Sequence, residues 1–450
     1  MNADAGVPGA GEGGRFDCLV VGGGPAGGAA AAAAAGDGCR TLLVERHGFL
    51  GGMGTAAGLS AFINYRYRTA DLSHSFYRAI LADLAGHDAT YNTEHGNVDI
   101  FEPEALKLVL EARLAAAGVG LALHATILRL WREDGEWAVQ VFRKSGLTTL
   151  RARYLVDATG DADVAARAGA GVTHGRRSDG RTQPLTMVVQ LAGAEPAEFG
   201  RRVRPLADGR FIFHSDCLGA EIATARARGE WVIPRDNIAM FWSMPWDPTR
   251  VTINGTRILG LSACRGGDLG TAERLGREQA WQLAAFFRRH VPGFGRATLL
   301  QTGPQVGVRE TRRIVGRGTL SEEDVLSSRQ PEDCVVLCSY PIDVHQPDGT
   351  GSDFDPGDDY CYGIPLRCLL PADVPNLIAA GRCISATHEA AGSFRVMSTC
   401  MNLGEAAGTA VGVALGRDQE LAEVDAGEVR ARMREALAGT PPRPRGAARR

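Results

Sequence analysis

A run of glycines between an apolar strand and an alanine-rich helix constrains this chain more than any other feature. Gly22-Gly23-Gly24-Pro25-Ala26-Gly27 follows the apolar stretch Phe16 to Val21 and precedes Gly28 to Ala35, nearly all alanine, a strong helix former. A second apolar strand, Thr41 to Val44, ends at Glu45, 23 positions after Gly22. Strand, glycine turn, helix, strand and acid in this order make the dinucleotide-binding pattern. Gly22 allows the tight turn, Gly24 lets the backbone approach a pyrophosphate, and Gly27 lets helix and strand close up. The helix N-terminus offers unpaired N–H groups and partial positive charge to phosphates. Glu45 can accept hydrogen bonds from a ribose diol and would repel a 2′-phosphate. The plainer alternative, a turn that only joins strand to helix, leaves the acid in register unexplained.

The 450 residues, 44% hydrophobic and 22% charged, suffice for two or three domains and a large core. A net charge of -3 argues against nucleic acid or an anionic membrane as the main partner. No apolar run approaches the roughly 18 residues of a membrane span. The N-terminus lacks the basic-then-apolar order of a signal peptide, so the expected location is cytoplasmic. The ten cysteines are scattered and contain no Cys-x-x-Cys pair. No metal or iron–sulfur centre is expected, and the thiols read as small buried hydrophobes in a reducing compartment.

Along the chain, residues 1–14 read as a disordered N-terminus, followed by a βαβ unit to about Ser60. Glu102 to Ala117 is a helix, with Pro103 in its first turn and Gly118 just past its end. Three β-rich stretches follow, Leu121 to Trp131, Trp137 to Arg143 and Thr148 to Val156, separated by Asp134-Gly135 and Ser145-Gly146. The composition then changes. Residues 176–330, with an amphipathic helix from about Thr271 to His290, read as an inserted α+β substrate domain. Residues 15–175 and 331–418 form one discontinuous nucleotide domain, 419–440 a C-terminal helix and 441–450 a disordered basic tail.

Three further motifs bear on chemistry. Val156-Asp157-Ala158-Thr159-Gly160-Asp161 ends a strand in a tight turn that can lie over a ligand. Phe49-Leu50-Gly51-Gly52-Met53-Gly54-Thr55 is backbone suited to close approach, where Thr55 could bond a phosphate or ribityl hydroxyl; the alternative is a flexible loop. Near the C-terminus, Leu377 to Gly381 is a strand running into Arg382, and a helix starts near Ser398 or Thr399, both good N-caps.

With these stretches, and with Gly303 to Gly316, Ser339 to His345 and Tyr362 to Gly408, the chain resembles the FAD-dependent oxidoreductase family with the glutathione-reductase type of FAD fold. It is distantly similar to fumarate reductase flavoproteins. The resemblance implies an α/β fold, a Rossmann-like FAD-binding domain carrying the inserted substrate domain, and FAD as cofactor. It implies FAD contacts at Gly22, Gly24, Pro25, Ala26, Gly27, Glu45, Arg46, Gly52, Met53, Thr55, Ile127, Gly160, Asp161, Gly381, Arg382 and Thr399. A helix N-terminus near Thr399 would stabilise the charge of a reduced flavin.

His345 is the candidate base and Arg309 the candidate substrate anchor. Arg309, Arg312 and Arg313 form a basic cluster suited to a carboxylate, or to ion pairs with Glu310 and other acids; Arg395 is a further candidate. His388 reads equally as a structural histidine. Cys400, His388 and His345 are chemically able to attach a flavin covalently. The expected function is hydride transfer between a small organic substrate and flavin N5, with an unknown electron acceptor. The Ala/Arg/Gly-rich composition is compatible with a bacterial specialised-metabolite pathway. Two alternatives are a flavin monooxygenase or halogenase, with only a partial echo of its tryptophan motif at Trp231-Val232-Ile233-Pro234, and an FAD-binding electron-relay subunit.

Overall fold

The computed structural model describes residues 14–93, 97–195, 198, 204–205, 211–214, 218–238, 240–349, 351–353 and 359–443. The first 13 residues and the last seven of the proposed basic tail lie outside them. Within the tail, Arg443 pairs with Asp99 and stacks on the Tyr65 ring.

Apolar strand β1 (Arg15–Val21) turns through the glycines into α1 (Pro25–Gly36) and returns as β2 (Thr41–Val44). Both strands are buried, as continuous apolar runs in a parallel sheet require. They belong to a seven-stranded sheet in the order Gly120–Ala122, β2, β1, Gly146–Asp157, Glu136–Arg143, Thr126–Glu133. Strand Gly146–Asp157 is shared along its length. Its first half pairs antiparallel with Glu136–Arg143, and its end pairs parallel with Leu377–Ala379 from the far end of the chain. Val21 lies opposite both Val44 and Asp157, Val44 opposite Ala122, and Asp157 opposite Ala379, so five parallel strands end level with one another. The antiparallel excursion is longer than the sequence suggests, its last strand starting at Gly146 on the turn.

Helix Met397–Gly416 lies on α1. A Cβ at Gly404 would stand 2.0 Å from the Ala26 carbonyl oxygen, so only glycine permits this approach. The helix starts at Met397, with Val396 as its N-cap, rather than being capped by Ser398 or Thr399. The Ser398 hydroxyl donates instead to the carbonyls of Ile63 and Asn64, which fastens the helix to a neighbouring strand.

The inserted region forms a six-stranded antiparallel sheet with its own core. Helix Gly266–His290 covers it, starting five residues earlier than its apolar periodicity suggests. Phe286, Phe287 and Phe294 meet Trp231 and Phe241 edge-on beneath it. No helix among the described residues is long and apolar enough to cross a membrane.

Candidate active site

Because the five parallel strands end together, the residues that follow them converge on one cleft, as expected at the carboxyl edge of such a sheet. Gly22, Gly24, Pro25 and Ala26 line it after β1, Glu45 and Arg46 after β2, Gly160 after Asp157, and Gly381 and Arg382 after Ala379. Gly52, Met53 and Ile127 complete its walls. Gly22 holds φ +97°, and a Cβ there would collide with the Ala158 carbonyl. Gly27 lies beneath the turn, where a Cβ would stand 1.7 Å from the Gly22 oxygen.

Glu45 is held from both sides. One carboxylate oxygen accepts the Gly23 N–H at 2.6 Å, the other the His47 N–H at 2.8 Å. Each oxygen keeps a second lone pair, so the carboxylate is aimed without being used up. Beside it, Arg46 and His47 both reach the side-chain oxygen of Gln305, at 2.8 and 2.9 Å, joining the cleft rim to the chain that leaves the inserted sheet.

Asp157 organises the next turn. One oxygen accepts the Thr159 N–H and hydroxyl, and the other accepts the N–H groups of Val164 and Ala165 at 3.0 and 2.8 Å, capping helix Asp163–Arg167. Burial pushes the pKa of this carboxyl up against those bonds. Asp161 stands behind the cleft wall, where it accepts from the Thr311 hydroxyl and from Arg382 at 3.1 Å. The other terminal nitrogen of Arg382 is buried and has no hydrogen-bond partner among the described residues.

Two proposed contacts face elsewhere. The Thr55 hydroxyl, buried, donates to the Leu50 carbonyl at 2.6 Å, and Thr399 bonds the Cys338 sulfur. Neither lines the cleft. Conversely, His47, Ala125, Thr126, Arg167, Gln305, Met397 and Cys400 do line it. Most of these carry no motif; Ala125 and Thr126 are marked only by preceding Ile127. Burial pushes the Cys400 thiol up to about 12, so it is a protonated wall residue.

The proposed arginine cluster divides. Arg312 bonds the Asp161 carbonyl and Asp163, whereas Arg313 pairs with buried Glu310 and donates to the carbonyls of Ala386 and Gly175. Neighbouring residues on a strand point to opposite faces, and each arginine found an acid on its own side. His388 joins the Glu310 pair at 2.8 Å, the structural arrangement. Arg309 alone turns the other way, donating to the Pro184 carbonyl and the Thr186 hydroxyl. Its charge feels Arg395, Arg235 and Arg257, opposed by Asp343.

His345 stands 3.4 Å from Asp343, outside the cleft lining. Burial and Arg309 push its pKa down to about 3 against the pull of Asp343, leaving a neutral imidazole at pH 7. Asp343 stays ionised, held well below the usual carboxylate range by His345, Arg395 and Arg309. Arg395, which lines the cleft, donates to Asp343 at 3.0 Å. The network therefore begins where the cleft ends.

The family model described as FAD dependent oxidoreductase matches residues 17–433. The chain belongs to the FAD-dependent oxidoreductase family. The cofactor of this flavoenzyme is FAD, and the residues present fit it: a glycine-lined turn at a helix N-terminus, an oriented acid, and Arg382 on the wall between them. No curated protein sequence matches the chain.

Among solved structures, the flavoenzyme is similar to p-nitrophenol 4-monooxygenase from Pseudomonas putida (12% identity, 96% of this chain and 88% of that chain, TM-score 0.49). It is also similar to a geranylgeranyl bacteriochlorophyll reductase-like protein from Thermoplasma acidophilum (14%, 94% and 84%, TM-score 0.48). The myxobacterial chondrochloren halogenase is a third (13%, 94% and 79%, TM-score 0.47). At these similarities the reaction is to be read from the site itself.

Proposed function

We propose that this flavoenzyme is a dehydrogenase or oxidase that takes a hydride from a small organic substrate. The observation that supports this is the continuity of the cleft, from Glu45 past Arg382 to Arg395, with the buried Asp343–His345–Arg309 network beyond it. FAD, when bound, supplies a two-electron acceptor. Glu45 would hold the ribose, Gly24, Ala26 and Arg382 the diphosphate, and Gly52, Met53, Gly381 and Met397 the walls around the ring. His345, kept neutral by burial and standing beside Asp343, would serve as a hydrogen-bond partner that orients the substrate, since a pKa pushed down to about 3 makes it a weak base. Arg309 and Arg395 would position the substrate.

The test is anaerobic. Purified protein loaded with FAD is mixed with small alcohols, amines and hydroxy acids, and flavin absorbance near the visible maximum is followed. Bleaching by one of these compounds supports the reading, and colour restored by air marks an oxidase. Substrate-stimulated NAD(P)H oxidation with oxygen inserted into the product would replace it with a monooxygenase.

A further inference from the structure

We propose that Tyr65, Tyr77, Asn92 and Asp99 form a guanidinium-binding cage. Arg443 of the same chain fills it, so that the C-terminal segment straps down the helix carrying Met397 and Cys400. In the sequence, Pro441-Pro442-Arg443-Pro444-Arg445 can continue no helix and favours a stiff, extended backbone. Helix Ala426–Ala438 ends just before it and lies against helices Met397–Gly416 and Ser75–Gly86. The chain's own tail thus emerges beside Tyr77. Pro441 and Pro442 are exposed, yet the Arg443 side chain is only 11% exposed. One residue of the segment inserts, and it is the cation.

The cage residues hold one another. Asp99, a buried carboxylate on strand Val98–Phe101, accepts the Tyr77 hydroxyl at 2.6 Å and the Asn92 amide at 2.8 Å. The same amide donates to the Tyr65 hydroxyl at 2.7 Å. The two tyrosine rings tilt at 59° with centroids 6.3 Å apart, and Phe62 backs Tyr77 edge-on. Tyrosine and asparagine are neutral, and a buried carboxylate is costly until a cation pairs with it. Arg443 pairs with Asp99, and its guanidinium lies over the Tyr65 ring and 5.7 Å from the Tyr77 centroid. A planar cation that stacks on aromatic faces while it donates to a carboxylate is what arginine supplies and an ammonium does not.

Both tyrosines adjoin residues fastened to the cleft helix. Tyr65 follows Ile63 and Asn64, whose carbonyls accept the Ser398 hydroxyl. Tyr77 follows Ser75 and Phe76, whose hydroxyl and N–H go to buried Glu405 at 2.7 and 2.9 Å. By bridging the two segments, Arg443 steadies both attachments of helix Met397–Gly416, whose Met397 and Cys400 form cleft wall.

The full-length protein is compared with Arg443→Ala and with the control Arg434→Ala, on the exposed face of helix Ala426–Ala438. Arg443→Ala should lower the thermal midpoint by about 2–5 °C, the loss of one charged hydrogen-bonded pair. It should also weaken FAD binding to the deflavinated protein about 3- to 10-fold, whereas Arg434→Ala does neither. Millimolar propylguanidinium chloride should raise the midpoint of Arg443→Ala toward wild type, and propylammonium chloride at the same concentration should not. In an Asp99→Asn background, Arg443→Ala should cost much less than in the wild type. A midpoint unmoved by Arg443→Ala, or a loss fully additive with Asp99→Asn, overturns the cage. So does a loss that both salts restore equally, or that neither restores. A lower midpoint with unchanged FAD affinity overturns the strap. A wild-type midpoint that falls on dilution gives the cage to the tail of a second copy and overturns the contact within one chain.

Discussion

Glu45 accepts the backbone N–H of Gly23 at 2.6 Å, so the acid at the end of the second strand also braces the glycine turn at the end of the first. Ligand recognition and loop geometry share one carboxylate. Glu45→Ala should therefore weaken FAD binding about 10- to 100-fold, through both the ribose and a loosened turn, while the fold survives. Fluorescence titration of the deflavinated protein with FAD measures this, and unchanged affinity would sever Glu45 from the site.

Gly404 touches the Ala26 backbone from the opposite side of the same turn. Gly404→Ala places a methyl group where there is no room, and the helix carrying Met397 and Cys400 must shift away from α1. Overpacking of this kind destabilises by about 1–3 kcal/mol or more. A lower thermal midpoint together with poorer FAD retention is expected; a loss of stability with normal FAD retention would show that the helix position does not shape the cleft.

His345 gives a pH signature with a definite sign. Its pKa is about 3 in the folded protein, against an ordinary value near 6.5 when unfolded. Between those values the unfolded chain binds the proton and the folded one does not. This residue's contribution is thus unchanged above about pH 6.5, and stability is lost as pH falls through that window, by at most about 1.4 kcal/mol per pH unit. Denaturant unfolding of wild type and His345→Gln at pH 4.5 and 7.5 isolates the effect. The wild type should lose more than the variant on acidification; equal losses would mean that His345 is already charged.

Arg313 and Arg309, four positions apart, should separate cleanly. Arg313→Met takes the arginine from the buried Glu310 carboxylate, leaving it His388 and the Gln183 N–H, and is expected to cost about 1–3 kcal/mol of stability. Arg309→Met relieves like-charge crowding, so it should leave stability unchanged or raised while substrate KM increases. Denaturant unfolding alongside steady-state kinetics distinguishes them, and a reversed pattern would exchange their roles.

The nucleotide half of the site was legible because its information is local. Gly22, Gly24, Gly27 and Glu45 sit within one βαβ unit, and strand, turn and helix propensities reinforce one another over a few residues. The tight turn at Gly160 and the strand running into Gly381 and Arg382 were readable on the same terms. Thr55 and Thr399 do not line the cleft: a hydroxyl beside a glycine loop or a helix start looks available, whereas packing gave each a protein partner, Leu50 and Cys338. Asp157 looked like part of a turn, and its four hydrogen bonds appear only once the following helix folds back over it.

By itself, then, the sequence determined the order of strands and helices, the glycine turn and the acid that identify a dinucleotide site, since backbone freedom and apolar periodicity act between near neighbours. Only the tertiary structure decided which arginines are neutralised and which are not. Arg312 and Arg313 lie in the most conspicuous basic run yet are spent on acids. Arg235 and Arg257 carry no motif, yet both are buried and held by backbone carbonyls, of Asn254 and of Gln346 and Gly351. Charge balance in a buried site is a sum over groups far apart in the chain, and it has no value until the fold has brought them together.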